Sequence, residues 1–352
     1  MKKNQNVTMQ DSSQAQADTC GQGKKKTTIG GQALIEGLMM IGPTRKAMAV
    51  RKADGTILLE EMPNPRFQGA ADKLFLRGSI RLFRQLVSGT KALLRSAELV
   101  EMEDESKSEI PATDENPSAP RKKGFFSKIS SRIDQYMASH ADAMLYVSAT
   151  LGILFSVGLF ILLPNFITGF IGQFASIDRS QGAGAIILLN LIEGLIRIGL
   201  FIGYLTLASK MKDIRRVWMY HGAEHKTIAC YEDNQPLTVD NVRGYSRFHP
   251  RCGTAFMFIV IIVSIIVFSF AGWWDRWLNL LIRFALVPLV AGIAYEIIRL
   301  AGRYDNRLTR MISAPGLWLQ RLTTAEPDDS ILEVAIAAMN AVVPEEPKRD
   351  CW

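Results

Sequence analysis

Four long apolar blocks constrain this chain more than any other feature. Residues 143–171, 184–208, 254–274 and 278–300 are each long enough, as helix, to cross about 30 Å of hydrocarbon. Pro164 is expected to kink or end the first block. Trp273, Trp274 and Trp277 stand between the third and fourth, where an aromatic belt belongs. Charged residues still make up 21% of the chain, so strongly charged segments must separate the blocks. The expected fold is mainly α: a four-span α-helical integral membrane protein with a small cytoplasmic N-terminal α+β module and a C-terminal amphipathic helix.

Basic residues set the expected orientation. Arg121, Lys122, Lys123, Lys128 and Arg132 precede the first block. Lys210, Lys212, Arg215, Arg216, Lys226, Arg243, Arg247 and Arg251 lie between the second and third, and Arg303, Arg307 and Arg310 follow the fourth. The other two connections, 172–183 and 275–277, hold one Arg each. The positive-inside rule then puts both termini and the 209–253 loop in the cytoplasm. The net charge of +7 suits anionic lipid headgroups as well as nucleic acid. No zinc-ribbon, RNA-binding or helix-turn-helix signature favours nucleic acid, so the lipid bilayer is the expected partner. Cys20, Cys230, Cys252 and Cys351 are scattered and suggest no disulfide framework.

Residues 1–28 are polar, lack an apolar signal-peptide core and read as a disordered arm. A module over 29–100 follows. Within it, residues 30–45 read as tight turns around a short apolar helix, with Glu36 either buried and paired or an ordinary surface residue. Two β-prone runs flank Ala53-Asp54-Gly55, a hairpin signal. Residues 73–100 read as an amphipathic helix, with Leu76, Ile80, Phe83 and Val87 on one stripe and Arg77, Arg81, Arg84, Lys91 and Arg95 on another. That pattern describes a helix lying in the headgroup plane, a soluble core helix being the alternative. Residues 101–123 hold too little apolar surface to fold and read as a disordered linker. The membrane domain is expected over 124–310. A C-terminal helix and tail fill 311–352, with Asp328-Asp329-Ser330 capping a helix whose apolar face docks on the cytoplasmic domain.

Chemistry concentrates in the 209–253 loop. Of four histidines, His221, His225 and His249 lie there, with Cys230 and Cys252. His221 and His225 are four apart, so a helix would point both imidazoles the same way, with Glu224 beside them. The string His-x-x-Glu-His is the inverted form of the zinc-protease helix. Two imidazoles fix a Lewis-acidic cation, and the carboxylate takes a proton from water. Gly222 weakens the helix. The plainer alternative is a polar juxtamembrane loop whose histidines bond backbone and headgroups. Glu296, placed by counting near the cytoplasmic end of the fourth block, is a candidate third ligand or a snorkelling interfacial carboxylate. Deeper in the second block, Glu193 and Arg197 sit at helical spacing after Asn190. Charges at that depth mark function or lock helices together.

The blocks GGQALIEGLMMIGPTRKAMAVRKADG, YHGAEHKTIACYE, YSRFHPRCGT, YEIIRLAG and LWLQRLTTAEPDD resemble the YqhQ-like bacterial membrane proteins, carried as domain of unknown function 1385. The resemblance covers about residues 29–343. It implies a bacterial plasma-membrane protein and a metal-dependent enzyme, and names no substrate.

Three functions are therefore expected to compete. The first is a metal-dependent hydrolase at the cytoplasmic membrane face. His221 and His225 hold a divalent metal such as zinc, Glu224 is the base, and Glu296 or His249 completes the shell around an open water position. Its substrate would be lipid-linked or a membrane peptide. The second is a scaffold or assembly factor in which His221, His225, His249 and Cys252 close a structural site. The third is small-solute or ion transport past Glu193 and Arg197; four spans without an internal repeat would need a homo-oligomer for it.

Overall fold

The N-terminal module opens with an antiparallel sheet of order β1-β2-β3-β4: β1 (Gly30–Leu34), β2 (Gly37–Ile41), β3 (Lys46–Arg51) and β4 (Ile57–Met62). Among the described residues of the computed structural model these α-helices follow: α1 (Leu76–Ser108), α2 (Leu163–Phe174), α3 (Ala183–Ala208), α4 (Lys212–Glu232), α5 (Val239–Arg243), α6 (Gly253–Phe270), α7 (Arg276–Arg303), α8 (Arg307–Thr323) and α9 (Asp329–Val342). The structure describes residues 26–64, 76–108, 147, 150–152, 154–177, 182–270, 276–304 and 306–345. Trp273, Trp274 and the expected linker beyond residue 108 lie outside them. The chain divides into two units, residues 1–107 with 203–352, and residues 108–202.

In the first unit the β3–β4 turn falls at Asp54-Gly55, as expected. Gly55 has φ +87, and the Asp54 carboxylate accepts from Thr56 N at 2.7 Å. Residues 30–45 are not a short helix. They form the β1–β2 hairpin, turning at Ile35-Glu36 with Glu36 at φ +50. Arg216 of α4 holds the Glu36 carboxylate at 2.7 Å. The reason for the difference is burial on both faces. Leu38, Met40, Ala47 and Ala49 pack with Tyr220 and Ala223 of α4 and Ala335 of α9. Leu34, Met39, Met48 and Val50 pack with Ala92 of α1. A strand covered on both sides loses its alternation and reads as a plain apolar run.

The helix α1 runs to Ser108, past the expected start of the linker. Its basic stripe meets protein: Arg77 makes two 2.6 Å bonds to Glu296 of α7, and Arg81 reaches the Tyr295 hydroxyl at 2.8 Å. A Cβ at Gly78 would lie 2.6 Å from that of Tyr295, so the two helices touch there. Phe83, Leu86 and Val87 stay exposed. An additional helix, α8, starts at an Asn306–Thr309 capping box and packs on α6, where Gly316 abuts Ala255. The helix α9 docks as expected, burying Ile331, Val334, Ala335, Ala338 and Met339 against the sheet and α4.

Asp328 caps α9, its carboxylate accepting from Ile331 N at 3.0 Å. Burial pushes this carboxyl up, but the Ser330 hydroxyl, the Ile331 amide and the Arg216 charge outweigh that and hold it below the ordinary carboxylate range. A lowered folded-state value means stability that is present above the unfolded-state value and fades as acid protonates the cap. Asp328→Ala is expected to cost about 1 kcal/mol in urea unfolding at neutral pH, and less in acid.

The second unit holds a π-helical turn, Gly158–Leu162, leading into α2, and α3 as far as residue 202. Pro164 has no N–H for the carbonyl four residues back, Phe160. Arg197 Nε donates to that carbonyl at 2.9 Å, and Arg197 Nη2 to Glu193 at 2.8 Å. Among the described residues, four helices are long and apolar enough to cross a membrane: Thr150–Phe174, Ala183–Ala208, Gly253–Phe270 and Leu281–Ala301.

Candidate metal site between α4 and the start of α6

The 212–232 stretch is helical, so the His221 and His225 rings share a face, 4.5 Å between centroids. Gly222 is there for a reason that propensity hides. A Cβ would strike the Ala325 carbonyl, because the segment after α8 lies flat on α4. Ala325 N donates to Trp218 O at 2.9 Å, and Lys226 pairs with Glu326. That segment brings the Thr323 carbonyl to His221 Nδ1 at 2.8 Å. The Arg247 carbonyl meets His225 Nδ1 at 2.6 Å.

A carbonyl oxygen only accepts, so both Nδ1 atoms carry the proton. That leaves each Nε2 as the ring atom that could serve a metal. Cys252 immediately precedes α6, and its Sγ lies 3.1 Å from His221 Nε2. Thr254 N, in the first turn of α6, donates to the same sulfur at 3.4 Å. Burial pushes the His225 ring down, toward its neutral form, against the pull of Cys252. His225 Nε2 is buried and has no hydrogen-bond partner.

The donor atoms of His221, His225 and Cys252 all lie within 4.8 Å of one another. The edges of a tetrahedron around a zinc-sized ion are about 3.5 Å, so a small closure suffices. An orphaned buried nitrogen costs about 1–3 kcal/mol, and a cation would satisfy it. Backbone carbonyls on the far nitrogens are the usual outer support of metal-binding histidines. The donor set therefore fits a borderline-soft divalent cation such as zinc.

Glu224 lines the same cavity, of about 400 Å³, with the three donors, His249, Arg251 and the β1 residues Gly30–Ala33. Its carboxylate is 7% exposed and accepts from Gly31 N at 2.8 Å. Burial pushes the Glu224 carboxyl up, against smaller lowering effects of His221 and the Gly31 amide.

The other sequence candidates fall elsewhere. Glu296 does not join the donors: Arg77 takes both its oxygens, and counting residues gave depth without azimuth. His249 borders the cavity, its ring 5.7 Å from that of His225, but is turned away. Gln320 clamps its backbone at 2.8 and 2.7 Å, and Nε2 lies 3.6 Å from Glu232 Oε2 and 3.4 Å from Arg251. Glu193 and Arg197 belong to the other unit. Glu232 escaped the sequence reading. It also binds Thr27 N at 2.8 Å and Arg251. Burial raises its carboxyl, but His249 and Arg251 outweigh this and hold it below the ordinary range. The signal was the stripe His221, His225, Ile228, Glu232, one helix face over three turns.

A family model described as "Protein of unknown function (DUF1385)" matches residues 74–345. The chain is 36% identical over 324 residues to "Uncharacterized protein YqhQ" of Bacillus subtilis (strain 168), covering 91% of this chain and 93% of the relative. No solved structure matches. With His221, His225 and Cys252 inside the matched region, the chain belongs to the DUF1385 family, of which it is a YqhQ-like member.

Proposed function

We propose that the protein is a multi-pass membrane hydrolase whose His221, His225 and Cys252 hold a divalent metal, with Glu224 as general base. The observation that carries this is the convergence of two Nε2 atoms and a sulfur beside a buried carboxylate in one cavity. Three protein donors leave a coordination place for water, the arrangement of catalytic rather than structural zinc. A bound cation would supply Lewis acidity, activating water and polarising a carbonyl. The Glu224 carboxylate takes the water's proton and returns it to the leaving group, with the Gly31 amide fixing its orientation. A closed four-ligand site would need His249, whose Nε2 faces Glu232 and Arg251, so the geometry favours the open site.

Membrane insertion rests on the four apolar helices and on their outward side chains. Phe166, Phe170, Leu191, Leu195, Ile262 and Ile266 are all exposed, as they would be to lipid. The basic flanks support a reading with the site and both termini on the cytoplasmic side of a bacterial plasma membrane.

The test is Glu224→Gln in zinc-loaded protein reconstituted in nanodiscs, read on a quenched-fluorescent peptide pool. The variant is expected to keep its metal and lose about 10²–10⁴-fold in rate. An undiminished rate would remove Glu224 from the chemistry. Gly222→Ala should displace the 323–326 segment and the Thr323 carbonyl with it. Zinc affinity is then expected to fall about 10–100-fold in a chelator competition.

A further inference from the structure

Among the described residues, the strand β1 is an edge of the sheet and also lines the candidate metal cavity. Its register follows from the two-residue turn: Leu34 pairs with Gly37, so Leu34, Gln32 and Gly30 bond toward β2. Gly31 and Ala33 must then direct their polar groups outward. The Gly31 N–H shows this by donating to Glu224 at 2.8 Å. Among the described residues, the Gly31 carbonyl and both polar groups of Ala33 have no hydrogen-bond partner.

Gly31 also sets how near the edge comes to the chemistry. A Cβ there would lie 3.0 Å from Glu224 Cδ and 2.8 Å from the Met39 carbonyl. A Cβ at Gly30 would meet nothing within 4 Å, so the sheet face there is uncovered. An unpaired strand edge is a template for another strand, and most proteins blunt it with charge, proline or a covering element. Here Gly30-Gly31-Gln32-Ala33 carries no charge and no proline of its own, and α4 meets it through Glu224 at the Gly31 N–H; the stretch lines one cavity with His221, His225 and Cys252.

We propose that the substrate is an extended polypeptide segment that adds as a strand to β1 and lays a peptide bond beside His221, His225 and Cys252. This rests on the metal-hydrolase reading of the same site and names its substrate class. In a parallel pairing, one substrate residue donates its N–H to the Gly31 carbonyl and accepts from the Ala33 N–H. That pairing leaves the Gly31 N–H to Glu224. The reaction is amide hydrolysis. Water adds across the peptide bond, the C–N bond breaks, Glu224 passes the water's proton to the amine, and the products are a carboxylate and a free amino terminus. Recognition through backbone groups makes the site tolerant of side-chain sequence and selective for extended chain.

The experiment separates strand pairing from metal binding. Calorimetry on zinc-loaded full-length protein in detergent compares acetohydroxamate, an apolar tripeptide hydroxamate, and the same tripeptide methylated on its backbone nitrogens. The tripeptide is expected to bind at least tenfold tighter than acetohydroxamate. Methylation should lose about three- to tenfold of that, the worth of one backbone hydrogen bond. Ala33→Pro, which deletes the outward N–H of an edge strand, should produce a similar loss in the wild-type preference. The methylated peptide decides the matter even where that variant fails to fold. If acetohydroxamate binds but the peptide adds nothing, or methylation changes nothing, strand pairing is overturned while the metal site stands. If no hydroxamate binds, the metal site fails and this proposal falls with it.

Discussion

One zinc ion per chain is expected in protein purified without chelator, and His225→Ala and Cys252→Ala are each expected to abolish retention through gel filtration. Each variant removes one of the three candidate donors that the described residues bring together. Structural zinc in four-ligand peptides is worth about 10–16 kcal/mol, so one donor corresponds to a few kcal/mol, or about a hundredfold or more in affinity. Cobalt substitution adds a check that folding alone would not pass. The wild type should show a sulfur-to-cobalt charge-transfer band, and Cys252→Ser should bind cobalt weakly without it. His249→Ala should keep the ion, since its imidazole is engaged by Glu232 and Arg251. Protein that stays metal-free after zinc is added back would leave two imidazole nitrogens and a thiol with no purpose, and would defeat the proposed function.

Arg197→Leu is expected to be the most destabilising single change in the second unit. Glu193 has only 3% of its side chain exposed, and Arg197 11%. Removing one partner strands a charge in a low-dielectric setting, which costs about 3–5 kcal/mol, whereas replacing both with apolar groups is often neutral. The double variant Glu193→Leu with Arg197→Leu should therefore recover most of the loss, although the Phe160 carbonyl loses its arginine donor in both. Thermal unfolding in detergent reads the difference. A double variant that folds and keeps the proposed hydrolytic rate identifies the pair as a lock. One that folds but loses a solute flux would favour transport.

Some parts of this molecule were legible because a short-range rule governs them. The turn at Asp54-Gly55, the Asp328 cap and the His221/His225 spacing each depend on residues within one turn of each other. Length and apolarity alone marked the four long helices. The β1–β2 hairpin was hidden because its partners cover both faces, and Met39, Met40 and Leu38 then look like any apolar run. Glu296 was misplaced because depth along a helix says nothing of the side it faces, and α1 arrived to pair with it. Cys252 and Glu224 were found as residue types. The carbonyls that fix the imidazoles, from Arg247 and Thr323, carry no residue signature at all.

The unit that holds the site is discontinuous, residues 1–107 joined by 203–352. The first four strands leave the ribosome early, yet the helix that covers one of their faces, α9, is the last element made. Between them the cell must synthesise the whole second unit and the helices α4 to α8. The Thr323 carbonyl that orients His221 emerges late as well. If the proposed metal site holds, metal acquisition would be a late event of biogenesis. A chain stalled before α8 would expose a half-covered sheet and carry two histidines without the carbonyl that orients His221.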